Sequence, residues 1–388
     1  MTERRNQFKV LIAGGGTAAL EAALALRELA GDRVTTTLLS PEAEFVYRPL
    51  RVREPFAGPA AHHYSLAEFA RHCDVTIEKD SFKWLDPTER VVHTAGGQQF
   101  SYDALLLAMG ARPRPRFKHA MTLDDRLLDE QLHGLIQDIE AGYVHRLAFI
   151  APSQTVWPLP LYELALLTAH RAYEMNEDAS VTLVSSEDAP LAVFGDAVSE
   201  AVLALLDEAR IRFIPSEHAE TPEPGEVALH PSGQSLHVDR VIALPELFGP
   251  STPGVPKHDG QGFVSVDEQC RVRGLDGVYA AGDITDYPIK YGGIAALQAD
   301  TAAASIARMA GAPIEQPLWS PDIHATLLGG KHPLHLIAHI TGSHGSGSVV
   351  TGEPAWSGAK IAARYLTPYL QSQDRAGATA VVGSRERS

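Results

Sequence analysis

Apolar residues come in short runs, several of them closed by glycine, and alternate with alanine-rich stretches of helical length. FKVLIA, Phe8 to Ala13, predicts a buried strand. Thr17 to Leu29 is apolar nearly all round and predicts a helix, and VTTTLL, Val34 to Leu39, predicts a second strand rich in β-branched residues. Strand, glycine turn, helix and strand make a βαβ unit, and the right-handed crossover makes its strands parallel. Ser65 to His72 predicts a short helix. Val75 to Trp84 and Arg90 to His93 predict strands, and YDALLLAMGARP, Tyr102 to Pro113, an apolar strand ending at glycine. Arg112 to Arg116, RPRPR, reads as an extended basic linker.

The pattern then repeats in layout. Leu147 to Ile150, Val181 to Ser185 and Ile211 to Ile214 predict strands. Leu161 to Tyr173 and Ala197 to Ala209 predict helices. Glu217 to Glu226, acidic and proline-bearing, predicts a loop, and Val238 to Leu244 closes the cycle with an apolar strand. Gly277 to Asp283 predicts a strand, and Gly292 to Ala310 a long helix of small residues. Beyond Pro317 the chain reads as hairpin-like strands. Lys360 to Leu370 predicts a last helix, stopped at Pro368, and Ser372 to Ser388 a disordered tail.

Composition narrows the functions. At 388 residues, two or three domains are expected. A formal charge of −15 argues against nucleic-acid binding. Cys73 and Cys270 are the only cysteines, which excludes a disulfide framework and a C-x-x-C pair. The N-terminus runs straight into the glycine turn, with no room for a signal peptide. No apolar run is long enough to cross a bilayer, so the expected location is the cytoplasm.

Candidate chemistry begins at GGGTAA. Gly14, Gly16 and Ala19 stand at the positions of G-x-G-x-x-G/A. The first glycine permits the tight turn, the second admits a diphosphate, and the third small residue lets helix and strand pack closely. Gly15, Thr17 and Ala18 complete the loop and helix start, whose N–H groups face an anion. The second strand lacks the usual terminal acid. Ser40 stands there, followed by Pro41 and then Glu42. A serine hydroxyl can still bond a ribose, without the charge that strengthens the bond.

Three motifs in order, GGGTAA, YDALLLAMG and VDEQCRVRGLDGVYAAGD, resemble the flavoproteins with two dinucleotide-binding domains, the pyridine nucleotide–disulfide oxidoreductase fold. The nearest branch is that of sulfide:quinone reductases, flavocytochrome c sulfide dehydrogenases and type II NADH dehydrogenases. The resemblance spans Val10 to about Leu370 and implies FAD as cofactor. It implies that Asp283, after Gly282, bonds the ribityl chain. It places Ala108, Met109 and Gly110 near the diphosphate, with Met109 where threonine is usual. Phe82, with Ser81, falls where a strand meets the adenine, and Arg48 where a side chain lies near the flavin. IKYGGIAALQAD matches the helix that points Gly293 and Ile294 N–H groups at the flavin pyrimidine, and Lys290 adds a charge beside it. Such a helix start stabilises reduced flavin.

The second unit departs from the fingerprint. Pro152 and Ser153 stand where glycines would lie, and Trp157, Pro158 and Pro160 follow. Proline lacks the N–H that a phosphate cradle needs, and Trp157 takes up diphosphate space. Neither cysteine sits where a redox pair or sulfur shuttle would. His324, His332, His335, His339 and His344 invite a metal reading, but no carboxylate or cysteine accompanies them at ligand spacing. Strand alternation would put His335 and His339 on one face and His332 on the other.

The expected fold is α/β. A discontinuous Rossmann-like FAD domain, 1–118 and 252–318, is interrupted by a degenerate NAD(P)-like domain, 119–251. A small α+β C-terminal domain, 319–370, and a disordered tail, 371–388, follow. The expected function is FAD-dependent transfer of two electrons from an unidentified donor to a quinone, a protein or another acceptor, without a cysteine pair. The alternative is a flavin-binding protein with a non-catalytic assembly role. Nothing in the sequence recommends membrane contact, and homo-oligomerisation stays open.

Overall fold

The structure is a computed structural model. It describes residues 7–56, 61–124, 127–152, 157–175, 178–257, 260–315, 322–329, 332–341, 344–350, 354 and 359–385, without the side chains of 340, 341, 344, 345 and 376–385. Seven helices serve below: α1 (Thr17–Ala30), α2 (Leu66–Cys73), α3 (Leu128–Glu140), α4 (Leu159–Glu174), α5 (Asp196–Glu208), α6 (Gly292–Met309) and α7 (Leu366–Arg385).

The first sheet has five parallel strands in the order Val278–Ala280, Ala104–Leu107, Phe8–Ala13, Val34–Leu39 and Thr76–Glu78. Ala104–Leu107 and the carboxyl part of Phe8–Ala13, from Val10 on, are fully buried, which explains why they read as apolar runs rather than alternating ones. Chain direction reverses its order between Phe8–Ala13 and Ala104–Leu107, so a crevice opens at the carboxyl ends there. Helices α1 and α6 lie side by side on this sheet, packed through Ala22, Ala299, Ala302 and other small residues.

The second sheet repeats the design. Its five parallel strands run Met121–Thr122, Arg240–Ala243, Arg146–Ile150, Ser180–Val184 and Arg212–Ile214. Arg112–Arg114 pairs antiparallel with Glu246–Phe248 and joins the two units. The C-terminal domain is an antiparallel sheet of Asp322–Leu327, Leu334–Thr341 and His344–Val350. It seats on the second unit. A Cβ on Gly347 would lie 2.2 Å from the Phe194 carbonyl, so the backbones are in contact.

Two expectations change. Glu217 to Glu226 is not a plain loop, because His218–Glu220 starts a three-stranded antiparallel meander with Glu226–His230 and Ser235–His237. Val227 and Leu229 alternate into the core, and the prolines merely separate the strands. The last helix starts at Leu366 rather than Lys360 and continues to Arg385, through the tail expected to be disordered. Pro368 falls in its first turn, where no intrahelical acceptor exists to be lost. Its first N–H groups bond across domains, Tyr365 N and Leu366 N donating to the Glu21 carboxylate of α1 at 2.9 and 2.5 Å.

Beside that cap, Asp300 of α6 presses against Glu21. Burial first, and then the Glu21 charge, push the Asp300 carboxyl from 3.8 up to about 8, with Arg364 opposing. Burial also raises Glu21. Native Asp300 therefore keeps a proton that the unfolded chain has released. Its stabilisation is full below about pH 4 and is lost as pH rises through about 8. The melting temperature should fall between about pH 4 and 8 more steeply in the wild type than in Asp300→Asn, whose amide mimics the protonated acid. Equal slopes by scanning fluorimetry would exclude Asp300 as the source.

Candidate functional site

The glycine turn lies at the crevice. Gly14 has φ +136°, and a Cβ there would sit 2.2 Å from the Ala108 carbonyl oxygen, so only glycine fits. Gly14 N donates to Leu39 O, and Ala108 N to Ala13 O, locking three strand ends together. Gly16 differs. It is exposed, no atom lies within 4 Å of a Cβ placed on it, and it precedes α1 with no side chain capping the helix. The first N–H groups of α1, from Thr17 and Ala18, thus have no side-chain cap at a positive helix end.

The other sequence-chosen residues fall around this opening to different degrees. Ser40 is buried at the end of its strand, its Oγ accepting from Glu42 N at 3.3 Å and facing Gly15, where a Cβ would stand 2.5 Å away. Pro41 follows, exposed. Met109 and Gly110, the latter at φ +69° with open space beside it, continue from Ala108. Gly282, at φ +82°, touches both helix starts. A Cβ there would lie 3.2 Å from Ala295 Cβ of α6 and 3.4 Å from Ala18 Cβ of α1. Asp283 follows it directly, half-buried. Phe82 is half-buried on a small antiparallel sheet, and Arg48 is exposed at the start of a 3₁₀ segment, Arg48–Phe56.

The start of α6 has no side-chain cap and no acid in its first turn, which leaves the Gly293 and Ile294 end electropositive. Lys290 is buried rather than free. Its Nζ donates to Thr285 O at 2.5 Å and sits 3.8 Å from the Phe263 ring centroid. The sequence reading overlooked Gln298. Its side-chain carbonyl accepts from Gly282 N at 2.7 Å, tying α6 to the Gly-Asp turn. A buried amide on an otherwise alanine-rich helix was the available signal.

Beside this region opens a cavity of ≈ 340 Å³, walled by Tyr47, Arg53, His62, Lys360, Leu370 and Asp374 among others. Tyr47 Oη accepts from Ile361 N at 2.9 Å, and burial pushes its phenol up to about 12. Tyr64 and His62 both bond the Asp374 carboxylate, at 2.9 and 3.0 Å, and so pin α7 to the first domain. Lys360 forms a fully buried ion pair with Glu163 of α4 and also donates to Thr326 O at 2.9 Å, while Glu163 accepts from Leu328 N at 2.7 Å. Burial raises the Glu163 carboxyl and lowers the Lys360 ammonium, and each partner opposes the shift of the other.

The family profile of the pyridine nucleotide–disulphide oxidoreductases matches residues 8–135 and 163–310. The chain belongs to this family. A similar solved structure is the sulfide:quinone oxidoreductase from Aquifex aeolicus, at 19% identity, TM-score 0.77, with 89% of this chain and 87% of that one covered. A ferredoxin reductase from Rhodopseudomonas palustris gives 18%, 0.61, 85% and 82%. NDH2 from Plasmodium falciparum gives 15%, 0.59, 74% and 66%. These identities support the fold. Membership of this family makes FAD the cofactor, and the open space at Gly16, before the uncapped start of α1, fits its diphosphate.

Cys73 and Cys270 are both buried, and burial raises both thiols above their ordinary value, which disfavours the thiolate. The histidines find local partners. His335 Nδ1 meets Thr326 Oγ1 at 3.1 Å and His339 Nδ1 meets Asp322 at 2.6 Å, on one face of the C-terminal sheet. His332 precedes the strand, and the His344 side chain is outside the described residues. Among those residues no group of three metal-ligating side chains occurs, and no helix is long and apolar enough to cross a membrane.

Two glycine variants should separate. Gly14→Ala forces backbone against Ala108 and should yield little folded protein. Gly16→Ala should keep the wild-type melting temperature but retain less FAD on dialysis, since its methyl enters the open face. Equal FAD retention by absorbance would move the diphosphate elsewhere. Lys360→Met leaves a buried carboxylate unpaired and should cost about 3–5 kcal/mol in urea unfolding, most of it recovered by adding Glu163→Gln.

Proposed function

We propose that this chain is an FAD-dependent oxidoreductase that moves two electrons to or from a small molecule in the cavity beside the flavin, using neither a thiol relay nor nicotinamide in the second domain. One observation carries the FAD geometry: Gly282, the residue before Asp283, is in contact with the first turns of both α1 and α6. The start of α1 would then hold the diphosphate, Asp283 the sugar-alcohol chain and the start of α6 the ring. FAD, when bound, supplies the two-electron centre. Gly14, Gly15, Gly16, Thr17 and Ala18 admit and bond the diphosphate. Ser40 reads the adenosine ribose, and Gly293 and Ile294 direct N–H groups at the ring.

The second domain supports the exclusion of nicotinamide there. The Trp157 ring is buried and stacks on Tyr291 at 4.6 Å, where a phosphate loop would leave room. Ser153 lies outside the described residues, and Pro152 supplies no N–H. Glu187, just past the second strand of this unit, is the residue placed to read a ribose. It turns inward instead. Its carboxylate accepts from Tyr162 Oη at 2.9 Å, Ser185 Oγ at 3.0 Å and Ala192 N at 3.1 Å.

The purified protein should be yellow and release FAD on denaturation. Under anaerobic stopped-flow mixing, NADH and NADPH should leave the flavin oxidised while dithionite bleaches it. Rapid bleaching by NADH would refute the nicotinamide-free reading. Failure of a panel of reductants and quinones to exchange electrons with the flavin would favour the assembly role.

A further inference from the structure

The start of α6 is wedged by the ring of its own N-cap residue, which is backed in turn by aromatic rings of the second domain. Tyr291 is the N-cap residue, and its carbonyl takes the first helical bond, from Ala295 N at 2.9 Å. Its ring lies directly on Gly293. A Cβ there would stand 2.5 Å from Tyr291 Cε1. Gly292 is bare for a parallel reason, since its Cβ would meet Ile361 Cδ1 at 2.6 Å. The two glycines therefore make room for Tyr291 and for the strap at residues 360–361. On its other face Tyr291 stacks against Trp157 of the second domain, rings 4.6 Å apart and 19° from parallel, and Trp157 in turn lies 5.6 Å from Phe194. The phenol is tied as well. Its single O–H proton is shared between two carbonyls, His324 O at 2.7 Å and Lys360 O at 2.5 Å. Both rings are buried.

We propose that Trp157 and Tyr291 are positioning residues of the flavin site, a stacked strut by which the second domain fixes the start of α6 and so sets the reduction potential of the bound flavin. The proposal rests on the assignment of α6 to the flavin ring. Its physics is electrostatic preorganisation. N–H dipoles held in one direction stabilise the negative charge of reduced flavin, whereas a fraying first turn averages that field away. The segment that would be a phosphate loop in a nicotinamide-binding domain thus serves the other cofactor, by bracing its helix.

The test is the flavin midpoint potential by dye equilibration for the wild type, Trp157→Leu, Trp157→Phe, Tyr291→Phe and the double variant Trp157→Leu/Tyr291→Phe. Trp157→Leu and Tyr291→Phe should both make the flavin harder to reduce, shifting the equilibrium up to about tenfold, or about 30 mV for a two-electron couple. Trp157→Phe, which keeps a ring, should restore most of the wild-type value. The double variant should fall short of the sum, because both act through one helix start. In parallel, amide exchange at Gly293 to Ala296 in the FAD-free chain should quicken in both single variants. Flavin-loaded variants with the wild-type potential overturn the proposal, whatever the exchange shows. Unchanged exchange overturns the strut. A wild-type chain that never takes up FAD refutes the cofactor geometry instead, and the exchange arm still decides whether the rings order the helix.

Discussion

Close approach of backbone to backbone is the constraint on which the rest of this structure depends. Gly14 must pass within contact of the Ala108 carbonyl, and Gly282 must fit between Ala18 and Ala295. Only bare or methyl side chains allow that. It brings the positive ends of α1 and α6 to the same crevice, at the point where the strand order reverses. The alanine-rich faces of both helices follow from the same demand, since larger residues would push the pair apart. Between the two helices the packing is made by small residues, while Leu20, Leu26, Leu38 and Phe69 supply larger buried side chains to the same core.

Buried charge joins the domains beside apolar packing that also crosses between them. Glu21 of α1 caps α7, and Glu163 of α4 holds Lys360 and the Leu328 amide. Such buried pairs are weak stabilisers compared with apolar replacements, but they tolerate little displacement. Their value here is geometric. The Glu163–Lys360 pair fixes the strap that carries Ile361 against Gly292, so three parts of the chain meet in one register beside the cavity.

Much of the fold was legible in the sequence because its signals are local. Gly14 and Gly282 mark turns that demand glycine, and unbroken runs such as Ala104 to Leu107 announce strands covered on both faces. The missing fingerprint of the second unit was equally plain from Pro152 and Trp157. What escaped was non-local. Nothing near Leu366 reveals that its helix is capped by Glu21, so the start was placed too early and the helix ended too soon. Lys290 read as a charge for the flavin, yet its ammonium turns to the Thr285 carbonyl and the Phe263 ring. Gln298, Glu163 and Lys360 gain their roles only once distant segments fold against them.

The inward turn of Glu187 has a consequence for ancestry and redesign. A carboxylate satisfied by Tyr162, Ser185 and the Ala192 amide is no longer available to a sugar hydroxyl. Reverting Pro152 and Trp157 to glycine would rebuild a loop but leave this acid engaged and the C-terminal sheet seated on Phe194. On the nicotinamide-free reading proposed above, the departure from a nucleotide site is written in three separate places, and no single substitution undoes it.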